Sequence, residues 1–463
     1  GVRAKRQPGS TLKPFVYGLA METRGFTAAT LLPDVALQLD SASGSFAPMN
    51  YDERFHGPVR LREALGNSFN VPAVWTANEV GVPRVLERLH DVGFASLEGS
   101  PEFYGPALAL GDGEVTLLEL TNAYATLARG GMWRPIVYVR EVKTRAGTSA
   151  APRPKEPERR VMPREVALQL ADILKDKDAR LASFGERSVL ELPFDVAAKT
   201  GTSKGFRDNW TVGFTHEVTV GVWVGNFDGS PMQDVSGITG AGPIFRAVIE
   251  AAMRRVEDVR VEPAPIGVAE ASSAFVRVEI CPLSGLARTK ACPHGIHEWL
   301  PRERAAPEAC TMHEHVAIDR RNGLRAGPTC SHGDVEDRSF EVYPPRFSSW
   351  AQGAERELAP EQSSPLCAAG PSRGGQTGLR VGYPEDGARF VLDPDRARSL
   401  QKVQLRVEAP PGASEVRLRV DGRIAASVAF PFVASWPLSV GEHVIIAEAG
   451  GLPSSAPVHV TVE

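Results

Sequence analysis

An α/β (α+β) domain, an irregular Cys-rich segment and an all-β domain, in that order, are what this chain predicts, and three observations predict them. Residues up to about 253 alternate helix-period apolar segments with short runs rich in Val, Trp and Phe, which calls for a sheet flanked by helices. Four of the five cysteines then fall in a stretch where periodicity fades. The last stretch alternates apolar and polar residues between Gly and Pro turns, the pattern of half-buried strands. With 463 residues and 42% hydrophobic content, the chain can bury a large core and hold two or three domains.

In the first region, 1–253, Gly9 breaks the segment ahead of Ser10, and Leu12, Phe15, Val16, Leu19 and Ala20 recur at helical spacing. A buried helix is therefore predicted to begin at Ser10. Pro14 fits its first turn, where amides have no intrahelical partner. Further helices are predicted near 61–65, 71–79, 84–92, 117–128, 164–174 and 244–253, and strands near 195–200, 209–215 and 218–225. The three strands can pair as a meander.

Three motifs on these elements carry chemistry: Ser10-Thr11-Leu12-Lys13, then Ser68-Phe69-Asn70, then Lys199-Thr200-Gly201-Thr202. A serine hydroxyl is a poor nucleophile at neutral pH, so it needs a neighbour to take its proton and a cationic pocket for the substrate's charge. Spacing by three puts Ser10 and Lys13 on one helix face. The first motif alone is weak, because Ser399-Leu400-Gln401-Lys402 fits it too, without a following Lys-Thr-Gly. The ordered triple is specific.

The region 254–377 holds Cys281, Cys292, Cys310 and Cys330 with five of the ten histidines. Two readings compete there. Cysteines can staple a loop-rich segment in an oxidising compartment, or Cys310, His313 and His315 can join another cysteine around zinc. No regular zinc spacing is present, so disulfides are favoured and no metal is expected. Sequential pairing would join Cys281 to Cys292 and Cys310 to Cys330, leaving Cys367 over. The region 378–463 has period-two runs at 403–407, 415–420, 443–447 and 458–462, which argue for an immunoglobulin-like sandwich without catalytic residues.

Composition excludes other classes. A formal net charge of −4 and the lack of a basic tract argue against nucleic-acid binding. No run of about 18 apolar residues marks a membrane span.

Arg6-Gln7-Pro8-Gly9-Ser10-Thr11-Leu12-Lys13-Pro14-Phe15 resembles the nucleophile segment of the class A, bifunctional penicillin-binding proteins, and the three motifs are those of that superfamily. Leu108-Ala109-Leu110-Gly111-Asp112-Gly113-Glu114-Val115-Thr116, running into Leu120-Thr121-Asn122-Ala123-Tyr124-Ala125, is similar to a loop and helix of the same family. The resemblance implies a serine β-lactamase/transpeptidase-like domain. Strands before the nucleophile, a glycosyltransferase domain and a membrane anchor would precede it, so this sequence is expected to be a carboxy-terminal fragment.

Carried onto matching residues, the resemblance makes Ser10 the nucleophile, Lys13 its base, and Ser68 a proton bridge to Lys199. Asn70, Thr200, Gly201 and Thr202 would bind substrate. The implied reaction is D,D-transpeptidation of peptidoglycan stem peptides on the periplasmic side of the bacterial inner membrane, without a cofactor. β-Lactams would acylate the serine, and the β-sandwich would be an appendage or a docking module for a cell-envelope protein. A catalytically silent β-lactam sensor or scaffold is the alternative; a serine β-lactamase or a D,D-carboxypeptidase ranks lower.

Overall fold

A computed structural model describes the chain except residues 1–2, 42–43, 140, 144, 146–148, 151–155, 187, 234, 259–263, 368–378, 393–400, 411–412 and 430–431. It divides into two compact units, residues 1–289 with 294–310, and residues 311–463 with 290–293. None of the described helices is long and apolar enough to cross a membrane.

The first unit is built on a three-stranded antiparallel sheet in which Asp208–Phe214 lies between Ala197–Thr202 and Thr219–Gly225. Because side chains alternate across a strand, each face collects its own core. Ala197, Trp210, Val212 and Phe214 join one hydrophobic cluster with Leu12, Phe15, Tyr124 and Leu170. Ala198, Val220 and Val222 join a second with Phe245, Ile249 and Met253. The middle strand is buried throughout, as a strand covered on both faces must be.

The helices around the sheet stand where their periodicity places them: Leu61–Gly66, Asn70–Val80, Val82–Asp91, Leu117–Ala128, Arg164–Lys175 and Gly242–Glu257. One start is written locally. Thr116 accepts from the Glu119 amide at 3.2 Å while Glu119 accepts from the Thr116 amide at 2.9 Å, a reciprocal cap. Phe15 on the helix Lys13–Arg24 meets Phe94 and Tyr124 edge-on, both at 5.7 Å between ring centres, in the favoured aromatic geometry.

The stretch expected to be irregular contains two antiparallel hairpins, Phe275–Ile280 with Ile296–Pro301 and His313–Asp319 with Val335–Glu341. The cysteine pairing also differs from the sequential expectation. Cys330 is bonded to Cys367, which had been left over, across a separation of 37 residues. Cys281, Cys292 and Cys310 are buried thiols, so neither Cys281–Cys292 nor Cys310–Cys330 forms. Nearness in sequence misled here, because the hairpin geometry, and not the number of intervening residues, brings sulfurs together.

The carboxy-terminal β region has two sheets. Lys402–Glu408 lies between Arg380–Tyr383 and Val433–Pro437 in the smaller one. The larger has the order Ala388–Phe390, Val458–Val462, Gly441–Glu448, Val416–Val420, Arg423–Val428. Alternate residues of both, including Val403, Leu405, Leu418, Ile445 and Val460, share one core. Ser399 of the second Ser-x-x-Lys lies outside the described residues, and Lys402 begins a strand.

Candidate active site

The nucleophile segment is a single 3-10 turn, Gly9–Leu12, running into the α-helix that starts at Lys13. The α-helix thus begins one turn later than the Ser10 start expected for it, with Ser10 in the 3-10 turn that precedes it. Three bonds hold this turn: Thr11 Oγ1 donates to the Pro8 carbonyl at 2.8 Å, Tyr124 Oη to the Thr11 carbonyl at 2.8 Å, and Trp210 Nε1 to the Gln7 carbonyl at 2.8 Å. Ser10 is half-buried, and its hydroxyl makes no hydrogen bond among the described residues.

The strand Ala197–Thr202 lies directly against that turn. A Cβ on Gly201 would fall 2.3 Å from the Pro8 carbonyl oxygen, and one on Gly9 would fall 2.6 Å from the Thr202 carbonyl oxygen. Gly9 also has φ +57°, a left-handed conformation that suits glycine. Glycine at both positions therefore lets the Lys-Thr-Gly backbone reach the serine turn.

Lys13 is fully buried and points at the second motif. Its Nζ donates to the Ser68 carbonyl at 2.5 Å, the Phe69 carbonyl at 3.1 Å and Asn70 Oδ1 at 2.7 Å, and lies 3.4 Å from Ser68 Oγ. Lys199, arriving from the sheet, donates to the same Ser68 Oγ at 2.7 Å and to the Thr200 carbonyl at 3.0 Å. One hydroxyl is thereby held between two lysine Nζ atoms. Ser68 has φ +62°, a sparsely populated conformation for a residue with a Cβ.

Both lysines are poor at holding their charge. Burial, and then the neighbouring charge of Lys199, keeps the Lys13 ammonium well below the ordinary lysine value, against a smaller opposing pull from Asp34. Burial, and then the charge of Arg180, lowers Lys199 to about 7. Thr200 is buried, and Thr202 Oγ1 accepts from the Gly237 amide at 3.0 Å.

Four further residues shape the site and were not singled out from the sequence. Asn50 Oδ1 accepts from the Asn70 amide at 2.7 Å and from the Val71 amide at 3.3 Å, pinning the start of the helix that carries Asn70. Its Nδ2 donates to both oxygens of the buried Asp34 at 2.8 Å. Asp34 Oδ2 also lies 2.6 Å from His56 Nδ1, and the His56 ring stacks on Phe69 at 4.1 Å. Arg180 is the fourth, a buried guanidinium bonded to the Leu174 carbonyl. No local signal marks these residues, since each acts on a segment distant in the chain.

A half-buried serine held between two buried lysines of depressed pKa, with a second half-buried serine one turn before the first of them, is an arrangement suited to acyl transfer. Comparisons with known proteins point the same way. The penicillin binding protein transpeptidase domain family matches residues 2–250, and the penicillin-binding protein C-terminus family matches residues 369–452. The chain is 29% identical over 368 residues to penicillin-binding protein 1C of Escherichia coli K12, covering 77% of this chain and 44% of that protein. It is 36% identical over 230 residues to penicillin-binding protein 1A of Aquifex aeolicus, covering 48% of this chain and 30% of that one. A crystal structure of penicillin-binding protein 1A from Haemophilus influenzae shares the fold at a TM-score of 0.52, with 22% identity, over 66% of this chain and 49% of that chain. The chain spans less than half the length of these two curated relatives. With the transpeptidase family matching more than half of its residues, the chain belongs to the penicillin-binding protein transpeptidases.

Proposed function

We propose that the first unit is a serine D,D-transpeptidase that cross-links peptidoglycan stem peptides. Ser10 Oγ attacks the carbonyl of the penultimate D-alanine, and Lys13, kept neutral by its burial, takes the hydroxyl proton. The Oγ–C ester bond forms as the amide bond to the terminal D-alanine breaks. The proton returns to the leaving amine through Ser68, which both lysines contact. Lys199, Thr200 and Thr202 hold the terminal carboxylate, Asn70 bonds the donor peptide's backbone, and the amides of Ser10 and Thr202 receive the oxyanion. An amine from a neighbouring stem peptide then attacks the ester, forming the cross-link and freeing Ser10.

The observation that carries this reading is the convergence of Lys13 and Lys199 on Ser68 Oγ beside the Ser10 turn. The approach of the Gly9 backbone to Thr202 supports the paired oxyanion amides, because it sets the strand beside the nucleophile. Around this unit we place a connecting segment over 254–377 and an immunoglobulin-like domain over 378–463, which we read as non-catalytic and available to a cell-envelope partner. The whole protein is read as working in the periplasm together with a glycosyltransferase domain.

The test is incubation with a fluorescent penicillin and, separately, with a D-alanyl-D-alanine stem peptide plus an acceptor amine. Intact mass and peptide mapping should find one β-lactam adduct on Ser10, absent from Ser10→Ala, and a cross-linked product with release of D-alanine. Acylation without any cross-linked product would favour a β-lactam sensor. Rapid turnover of the adduct would favour a β-lactamase, and release of D-alanine to water a carboxypeptidase. An adduct at Ser399 would overturn the site.

A further inference from the structure

The first unit holds a cavity of about 1140 Å3 that none of Ser10, Lys13, Ser68, Asn70 and Lys199 lines. Its walls are the end of the helix Arg164–Lys175 with the turn Asp178–Arg180, the start of the helix Leu61–Gly66, the segment 188–196 and the hairpin Phe275–Ile280 with Ile296–Pro301. Leu192, Phe194 and Trp299 are half-buried along it. A space of this size admits a ligand larger than a bare ion.

Charge is unevenly matched along these walls. Arg62 takes three carboxylates, Glu298 at 2.6 Å, Asp176 at 2.8 Å and Asp172 at 2.9 Å. Glu63 pairs with Arg60, Asp195 with Lys175 at 2.9 Å and Glu191 with Lys177 at 3.5 Å. Arg180 is left over. It is 5% exposed, its one hydrogen bond is to the Leu174 carbonyl, and no carboxylate pairs with it among the described residues. Two more guanidinium groups have free donors: Arg60 Nε is buried without a hydrogen-bond partner, and the exposed Arg277 makes no hydrogen bond or ion pair among the described residues. The lining carboxylates that lack an ion pair among the described residues, Asp178 and Glu186, are exposed to water. A buried charge without a counter-charge is unfavourable, and a bound anion relieves it.

We propose that this cavity is a second ligand site, which takes an acidic peptide and pairs one of its carboxylates with Arg180. A planar carboxylate accepts two parallel bonds from a guanidinium, which the single Leu174 carbonyl does not offer. Leu192, Phe194 and Trp299 give the peptide's apolar parts a surface, so a peptide gains contacts that inorganic phosphate cannot. Occupancy reaches the active site through charge. Lys199 is faced by Lys13 across Ser68, with Asp34 beyond, and by Arg180, with Asp176 beside it. After burial, the charge of Arg180 is what lowers Lys199 to about 7. An anion on Arg180 offsets that charge, so Lys199 keeps its proton to a higher pH. This coupling rests on the transpeptidase reading, whereas the binding does not.

The test uses the full chain in a buffer free of phosphate and carboxylate, with acetyl-alanyl-glutamate as the probe. Calorimetry at pH 7 should find a single binding event that persists in saturating penicillin, while the uncharged acetyl-alanyl-glutamine amide does not bind. Arg180→Met should weaken the binding about 10- to 100-fold, the loss of one charge-assisted pair. In the unaltered protein, a readout that needs no variant, saturating probe should move the alkaline fall in penicillin acylation upward by about half a pH unit or more. The site is overturned by a lack of binding, by binding that penicillin blocks, by equal binding of the uncharged peptide, by phosphate bound as tightly as the peptide, or by full affinity in Arg180→Met. An unmoved pH profile with binding intact overturns the coupling to Lys199. Binding without any acylation overturns the transpeptidase reading and leaves the site standing.

Discussion

Lys13 and Lys199 differ in surroundings more than in position, and the difference suits them to the separate tasks proposed. Lys13 is fully buried, and burial and then the charge of Lys199 disfavour its ammonium, so the uncharged amine needed of a base is favoured there. Lys199 reaches the same serine hydroxyl but titrates at about 7, with burial and Arg180 setting that value. If its charge draws the substrate carboxylate, Lys199→Ala should slow penicillin acylation at pH 7 by about 2 to 4 kcal/mol, roughly 30- to 1,000-fold, with the fold intact by circular dichroism. The pH profile follows from the sign of the shift. The second-order acylation constant, which reports the free enzyme, should fall as pH rises through about 7 because Lys199 loses its proton there. In Lys199→Arg the guanidinium stays charged, so whatever activity remains should lose that alkaline fall. A profile flat from pH 6 to 9 in the parent protein would remove the charge from the mechanism.

Elements meet here through missing side chains as much as through present ones. Gly201→Ala would thrust a methyl to 2.3 Å from the Pro8 carbonyl oxygen and 2.8 Å from Thr11 Cγ2, and the nearer clash is with backbone that cannot swing aside. Overpacking of this kind costs about 1 to 3 kcal/mol. Urea unfolding should register that loss, and acylation should drop at least as steeply, because the strand shifts away from Ser10. Asp34, Asn50 and His56 brace the Ser68 to Asn70 segment from another direction. The hydrogen bond to Asp34 raises the His56 pKa above its ordinary value. A raised folded-state value means the ion pair stabilises fully below about pH 6.5 and fades as pH rises through the folded pKa. His56→Ala should therefore lose more stability at pH 5.5 than at pH 9, measured by denaturant unfolding at both. Equal losses would leave the histidine as a stacking partner for Phe69 alone.

At the scale of the whole molecule, every residue placed in the candidate active site lies between Gly9 and Gly237, and the Cys330–Cys367 bridge lies in the other unit. Cys330→Ser should lower the stability of that unit by about 2 to 5 kcal/mol, seen as an earlier thermal transition, while the acylation constant stays within twofold. Much of the fold was legible beforehand because its signals are local. Apolar spacing around Leu117 to Ala128 and the Val-, Trp- and Phe-rich run through Asn209 to Phe214 depend on neighbours a few residues away. The positions of Ser10, Lys13, Ser68, Asn70 and Lys199 were legible because the motifs that carry them are specific as an ordered set. Asp34, Asn50, His56 and Arg180 carry no such mark, for each is an ordinary polar residue until the fold sets it beside a segment far along the chain. Local order thus came from the sequence by itself: which stretches are helix or strand, and which residue types make up the candidate site. Only the tertiary structure decided which sulfurs meet, why the serine precedes the α-helix by a 3-10 turn, and which buried groups set the charge of two lysines, because those depend on long-range contacts that spacing along the chain does not encode.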